Sequence, residues 1–372
     1  MSAVARLVLV GAGAMGREWI GAIDRSADAE LVGVVDLDRD VAEDALKGRG
    51  DAAGVVVGDD VARVALESEG DAVVNVTVPA AHLPVNLASL DAGYAVLCEK
   101  PITPTVRDAL ILVAAAEVSG RLLMVSQSRR YYAALSELRT RSAGLGEIGL
   151  VSTQFMKAPH FGGFREQMEH PLLVDMAIHA FDVARYLLDA TPRRVDCRTF
   201  NPSWSWFHGD AAAVATFEFD DGTRYLYHGS WVAPGLETSR NGSWRVGAAG
   251  GTGMWDGQST VTAQRGNGES EQIVVRPGHA ESIDGSLAEF ISALSTGATP
   301  TGEVHDNVMT LAMVESAVQS ADNGLTVEIA ELVDQAQRKA LATDLRPDLR
   351  AAIEGWGHAS AHLAGVSSAA RR

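Results

Sequence analysis

Over its first 126 residues the chain alternates short apolar, β-branched runs with helical patterns, and this alternation limits the fold more than any other feature. ARLVLVG leads into a helix from about Met15; LVGVVD into a helix from about Val41; GVVVG into a helix near residues 61–68; then comes DAVVNVTV. A helix ending at Gly93 is followed by YAVLCEKP, a helix from about Thr105 to Ser119, and LLMVS. Parallel strands cannot be joined by a tight turn, so strand–helix–strand repetition implies a parallel sheet with helices on both faces. Six strands by about residue 126 predict an α/β, doubly wound domain over residues 1–126.

The pattern then changes. A helix near 131–142, the turn LGEIG and the strand VSTQFMK lead to a helix around 171–189. Strand-like segments follow (RRVDCRTF, AAAVATFEF, TRYLYHGSW, SWRVGAAG and EQIVVRP), which predicts a large, mostly antiparallel sheet. Helices at about 283–296 and 304–323 and a strand LTVEI complete an α+β domain over 127–345. Two domains suit a chain of 372 residues, longer than one core efficiently serves. To the tail, 346–372, rich in Ala, Ser and His, the sequence assigns no role.

Charge narrows the partners. Lys plus Arg total 31 against 48 Asp plus Glu, a formal charge of −17 with no basic stripe, so neither nucleic acid nor an anionic membrane is expected as a partner. The longest uncharged stretch, AVVNVTVPAAHLPVNLASL, holds two prolines, two asparagines and a histidine, unlike a membrane helix. The start, MSAVARLVLVGAG, enters a strand at once, and the two cysteines, Cys98 and Cys197, have no metal or disulfide spacing; a cytoplasmic location is expected.

VLVGAGAMG places Gly11, Gly13 and Gly16, with Ala14 and Met15 between, directly after a strand and at the start of a helix. Such a turn lets a pyrophosphate approach the backbone at a helix N-terminus. Asp36 ends the second strand, 20 residues past Gly16, where an acid accepts hydrogen bonds from ribose hydroxyls. Its charge would repel a 2′-phosphate, which favours NAD; Arg39 nearby keeps NADP open.

The segment HPLLVDMAIHAFDVARYLL carries Asp175, His179 and Asp182 at i, i+4 and i+7, one stripe of an otherwise apolar helix. Such groups are costly unless they face a site or each other. His179 as a base, His179 as a structural residue and a metal site are all open, although no further Cys or His has clear ligand spacing and no metal is expected. LCEKP raises a parallel question: Glu99 and Lys100 stand at the end of a buried strand, closed by Pro101, either as a solvated pair or as part of a site.

The order of VGAGAMG, Asp36, NVTVPAAHLPVNLASLDAGYAVLCEKP, the DxxxHxxD helix and HDNVMTLAMVESAVQSADNGLTVEI resembles the glucose-fructose oxidoreductase, inositol dehydrogenase and MocA family over about residues 5–330. The resemblance implies a Rossmann domain joined to an open, largely antiparallel sheet, and NAD(P)-dependent oxidation of a secondary hydroxyl of a sugar, glycoside or cyclitol. It makes Lys100, Asp175 and His179 the catalytic groups. It places Thr77, Pro79 and His82 near the nicotinamide ribose, Glu99 beside the lysine, and Arg165 near the cofactor phosphates; His82 as a helix-start residue and Arg165 as a surface residue remain alternatives. Asp182 either holds the second nitrogen of His179 or serves the helix surface. Where many members have a glycine-rich run before the aspartate, EHPLLVD stands here. Arg130, His160, Trp204, Trp206 and His208 are candidate substrate contacts, and a homodimer or homotetramer is expected. A glycosidase that oxidises and re-reduces its sugar with bound NAD, and a non-catalytic nicotinamide-binding regulator, are the competing functions.

Overall fold

The computed structural model describes residues 4–50 and 54–370, with side chains to residue 366. The chain divides into two compact units. The first comprises the chain up to Ser128 together with Ser282–Val308 and the stretch from Val333; the second comprises Arg129–Glu281 and Met309–Leu332.

In the first unit, β1 (Ala5–Val10), β2 (Ala29–Val35), β3 (Val56–Gly58), β4 (Ala72–Asn75), β5 (Ala95–Glu99) and β6 (Leu123–Ser126) form one parallel sheet in the order β3-β2-β1-β4-β5-β6. The order reverses direction between β1 and β4, the crevice where doubly wound sheets bind ligands. The intervening helices are α1 (Ala14–Arg25), α2 (Arg39–Ala45), α3 (Val61–Glu67), α4 (Pro79–Asp91) and α5 (Val106–Ser119). Asp38, Asp60 and Thr105 start α2, α3 and α5 by accepting a hydrogen bond from a first-turn N–H.

Helix α5 is apolar nearly all round, with ten residues from Val106 to Ala116 buried, and such a helix needs cover on every side. Part of that cover is α11 (Pro347–Gly355), which packs on α5 and buries Leu349 and Ile353. The tail thus belongs to the first unit, as does α8 (Ser282–Thr296), whose Asp284 pairs with Arg25 of α1. Residues 282–308 and 333–345, which the sequence groups with the second domain, pack with the first unit.

The second unit begins with α6 (Ala133–Ala143) and contains a nine-stranded sheet. Its strands are β7 (Ile148–Met156), β8 (Pro192–Phe200), β9 (Ala212–Phe219), β10 (Arg224–Ser230), β11 (Ser243–Ala248), β12 (Gly251–Trp255), β13 (Thr260–Arg265), β14 (Ser270–Val274) and β15 (Val327–Glu328). The order is β14-β13-β12-β11-β7-β10-β9-β8-β15, antiparallel except for the parallel pair β7 and β10. Alternation directs Val195, Cys197, Ala215, Phe217, Tyr225 and Tyr227 to one face, all buried. That face is covered by α7 (Ile178–Leu188), whose Phe181 ring meets Phe217 at 4.8 Å and Tyr227 at 5.4 Å, both edge-on. Burial pushes the Cys197 thiol up to about 12 and the Cys98 thiol higher still, so both cysteines are inert core residues.

Candidate functional site

The glycine-rich turn joins β1 to α1 at the carboxyl edge of the parallel sheet. Gly11 has φ +97°, and a Cβ there would sit 2.9 Å from the Val76 and Thr77 backbone. At Gly16 a Cβ would lie 2.1 Å from the Gly11 carbonyl oxygen, so only glycine lets the helix start this close to the turn. A Cβ at Gly13 would meet nothing within 4 Å: the backbone there is open to a ligand, followed by Ala14 and the exposed Met15 in the first turn of α1. Asp36 Oδ2 accepts the Ala12 N–H at 2.8 Å and Oδ1 the Asp38 N–H at 3.0 Å, which fixes its carboxylate beside the turn. Open backbone at a helix N-terminus and an oriented acid are the features a dinucleotide requires, and these residues fit one.

Two further strands deliver side chains to the same edge. The Lys100–Pro101 bond after β5 is cis. Glu99 accepts from Trp19 Nε1 of α1 (3.0 Å) through Oε1 and from the Lys100 N–H (3.0 Å) through Oε2. Thr77, after β4, is held by Asn75, whose Oδ1 accepts from the Thr77 hydroxyl at 2.7 Å, and Asn75 in turn donates to Asn86 of α4 (2.7 Å). Pro79 is the first residue of α4, a position that needs no N–H. Trp19 and the Asn75–Asn86 pair escape a sequence reading because Trp19 reads as plain core and the asparagines as strand-end and helix residues.

His82 is completely buried, with Nδ1 2.7 Å from the Pro101 carbonyl oxygen and Nε2 3.0 Å from that of Thr77. It offers no exposed atom to a cofactor; it braces the two loops that carry Thr77 and Lys100. Burial, opposed by those carbonyls, holds its pKa below the usual 6.5. The unfolded imidazole therefore takes up a proton first as pH falls, so the stability His82 contributes is complete above 6.5 and is lost as pH falls through the folded value. We expect the melting temperature of wild type to drop more steeply than that of His82→Gln between neutral pH and about pH 5.5. Parallel slopes in the two proteins would remove His82 from that account.

In the second unit, the segment bearing Asp175 is not a regular α-helix: Leu172–Ala177 forms a π turn that runs into α7. Its i→i+5 spacing breaks the even stripe expected for positions 175, 179 and 182, and π turns recur at functional sites. Asp175 Oδ2 accepts from Arg165 Nε at 2.7 Å, and the guanidinium of Arg165 lies over the rings of Phe164 (5.0 Å) and Phe161 (5.4 Å). Arg165 thus orients Asp175, a pairing that no short-range motif announces. His179, on the first turn of α7, borders a small cavity shared with Arg129, Met176, Tyr227, Asn241 and Trp244.

Asp182 does not serve His179. It is fully buried and accepts two hydrogen bonds from Arg130, from Nε at 2.7 Å and Nη2 at 2.6 Å. Arg130 is accordingly an interior residue of the second unit rather than a substrate contact. His160 stacks on Trp206 at 3.9 Å, Trp206 Nε1 donates to the Pro159 carbonyl, and Trp204 Nε1 donates to that of Val232. His208 is exposed, its N–H bonded to the Glu166 carbonyl, which ties this loop to the segment before Asp175.

Comparison with known proteins follows the same division. Residues 5–127 match the family model described as the oxidoreductase family with an NAD-binding Rossmann fold, and residues 139–255 match the GFO/IDH/MocA C-terminal domain. Inositol 2-dehydrogenase 4 of Saccharopolyspora erythraea is 39% identical over 187 residues, 49% of this chain and 54% of that protein. The 1,5-anhydro-D-fructose reductase of Ensifer adhaerens is 27% identical over 86% of this chain and 97% of its own length. Among solved structures, an inositol dehydrogenase homologue from Azotobacter vinelandii, complexed with NADH and myo-inositol, superposes with TM-score 0.75 at 20% identity, covering 88% of this chain and 98% of that one, a likeness of fold. With both halves of its architecture matched and its glycine turn, Asp36 and Lys100 on one sheet edge, the chain belongs to the Gfo/Idh/MocA family of NAD-binding oxidoreductases.

Proposed function

We propose that this oxidoreductase oxidises a secondary hydroxyl of a sugar, glycoside or cyclitol, with NAD preferred to NADP. The observation that carries the reading is the gathering of the glycine turn, Asp36 and Lys100 on the carboxyl edge of one parallel sheet, beside its switch point. When bound, NAD supplies the hydride acceptor. The turn at Gly13 and the start of α1 hold its pyrophosphate, Asp36 its adenosine ribose, and the braced Thr77–Pro79 loop its nicotinamide half. Lys100 donates a hydrogen bond to the substrate oxygen that loses its proton, His179 takes that proton, and Asp175, held by Arg165, orients the substrate. His160, Trp206 and Trp204 supply aromatic faces suited to a sugar ring.

Purified protein is offered inositols, free sugars and glycosides with NAD or NADP, and NADH formation is followed by its absorbance. A substrate that yields NADH establishes the reading; glycoside cleavage without net NADH would move the protein to the redox hydrolases. Asp36→Ala is expected to raise KM for NAD by roughly tenfold or more, the worth of a hydrogen bond to a charged group, while leaving KM for NADP nearly unchanged. An equal rise for both cofactors would remove Asp36 from ribose recognition.

We also propose self-association through the face of the nine-stranded sheet opposite α7. There Leu150, Val214, Leu226 and Met254 are 37–49% exposed, more apolar surface than strands facing water usually display. Leu226→Glu is expected to shift the sedimentation coefficient to that of a monomer, and a monomeric wild type would refute the assignment.

A further inference from the structure

We propose that the first unit carries a divalent transition-metal site, best suited to Zn²⁺, formed by Glu117, His305 and His362, which fastens the C-terminal tail to the Rossmann helix α5. The three ligands come from separate elements: Glu117 from the last turn of α5, His305 from the first turn of α9 (Val304–Asn323), and His362 from α12 (Ala359–Ala370). Their ligand atoms lie within 4.8 Å of one another. Nε2 of His305 is 2.9 Å, and Nε2 of His362 2.6 Å, from the same Glu117 oxygen, Oε1. Two imidazoles converging on one carboxylate oxygen require a proton on each Nε2; a dication placed among the three atoms replaces both protons with bonds.

Two imidazole nitrogens and a carboxylate form a set that zinc accepts, with water completing a tetrahedron. Bonds of about 2.0–2.1 Å place ligand atoms roughly 3.3 Å apart, so the two short contacts open by about 0.4 and 0.7 Å, and the two imidazole nitrogens, which lie within 4.8 Å, close by at most about 1.5 Å. The surrounding groups are already those of a metal site. His305 Nδ1 lies 2.7 Å from Glu303 Oε1, a contact that would keep the proton on Nδ1 when an ion displaces the one on Nε2. Trp356 Nε1 donates to the other Glu117 oxygen, Oε2, at 2.8 Å, and its ring stacks on His362 at 5.0 Å and 11°. The side chains of His305, His362 and Glu117 are only 12%, 24% and 27% exposed. Glu303 itself is anchored by a backbone bridge to Met124 of β6.

The place of the site in the unit argues for a structural role. Helices of a doubly wound sheet run antiparallel to their strands, so the last turn of α5 lies at the amino edge, opposite the edge that bears Gly13, Asp36 and Lys100. No metal is expected from the sequence, because no ligands stand at short spacing. These three are separated by 188 residues between Glu117 and His305 and by 245 between Glu117 and His362.

The test uses the full chain freed of any polyhistidine tag, stripped with chelator, loaded with zinc and passed through a desalting column. Wild type is expected to retain about one zinc per chain and to melt at a higher temperature with zinc than without. His305→Ala and His362→Ala are expected to lose both properties while keeping NAD affinity and turnover. Glu303→Gln leaves all three ligands in place and is expected to weaken zinc binding about 10- to 100-fold, so the inference does not depend on a ligand variant folding. Cobalt(II) in wild type should give the intense visible bands of a four-coordinate site, absent in His362→Ala. Wild type that retains no zinc overturns the proposal, as does zinc retained equally by wild type, His362→Ala and Glu303→Gln.

Discussion

Replacing Lys100 by methionine is expected to lower kcat by about 10²- to 10³-fold while changing KM for NAD little, because the lost ammonium is a donor to charge that grows only in the transition state. The backbone around Lys100 is fixed from both sides: its N–H is held by Glu99, which Trp19 also anchors, and the Pro101 carbonyl is held by His82. None of these contacts uses the ammonium, and methionine keeps an apolar stem one atom shorter, so the loop that presents position 100 should survive the change. His179→Asn removes the proposed base and is expected to cost about 10²- to 10⁴-fold in kcat. Steady-state kinetics with the best substrate of the panel, beside NAD titration by fluorescence, separates chemistry from binding. A Lys100→Met enzyme within about threefold of wild type in kcat would discard the lysine as the oxygen's partner.

How much of this was legible in the sequence depended on the range of the interactions. The glycine turn, Asp36 and the strand–helix alternation are local patterns, and the parallel sheet they predict is the sheet observed. In the second unit the edge of the sheet was read less well. GTGMW and TVTAQR, which form β12 and β13, carry few large apolar residues, and the parallel pairing of β7 with β10 has no local signal. Glycine serves close packing there: a Cβ at Gly253 would lie 2.7 Å from Ser142 Oγ of α6. The tail was opaque for a different reason. Its clue lay in α5, whose apolar residues encircle the helix and call for cover beyond that given by α4. Around the candidate site, the DxxxH spacing was legible, but the π turn beneath Asp175 and the Arg165 partner were not, because an i→i+5 turn has no residue pattern of its own and the salt bridge joins a loop to a helix.

The pair that the sequence could not reveal carries the second large effect: Asp182→Ala is expected to destabilise the second unit by about 3–5 kcal/mol. Asp182 and Arg130 lie 52 residues apart, with side chains only 1% and 6% exposed, and their two hydrogen bonds align the planar guanidinium on the carboxylate. Thr310 donates to Asp182 Oδ1 at 3.1 Å and accepts from Arg185 at 3.0 Å, so the carboxylate is the acceptor on which a buried network converges. Alanine would strip the carboxylate from a guanidinium that stays inside, and most of the cost is that of a buried charge without its counter-charge rather than the worth of the pair itself. This origin makes a distinctive prediction for the double variant: with Arg130→Met added to Asp182→Leu, both charges go, and stability should recover toward wild type beyond either single change. Urea midpoints for the wild type, both single variants and the double variant close the cycle. Additive losses would show that the two residues act separately, whereas recovery would establish that Asp182 holds Arg130 in the interior of its own unit.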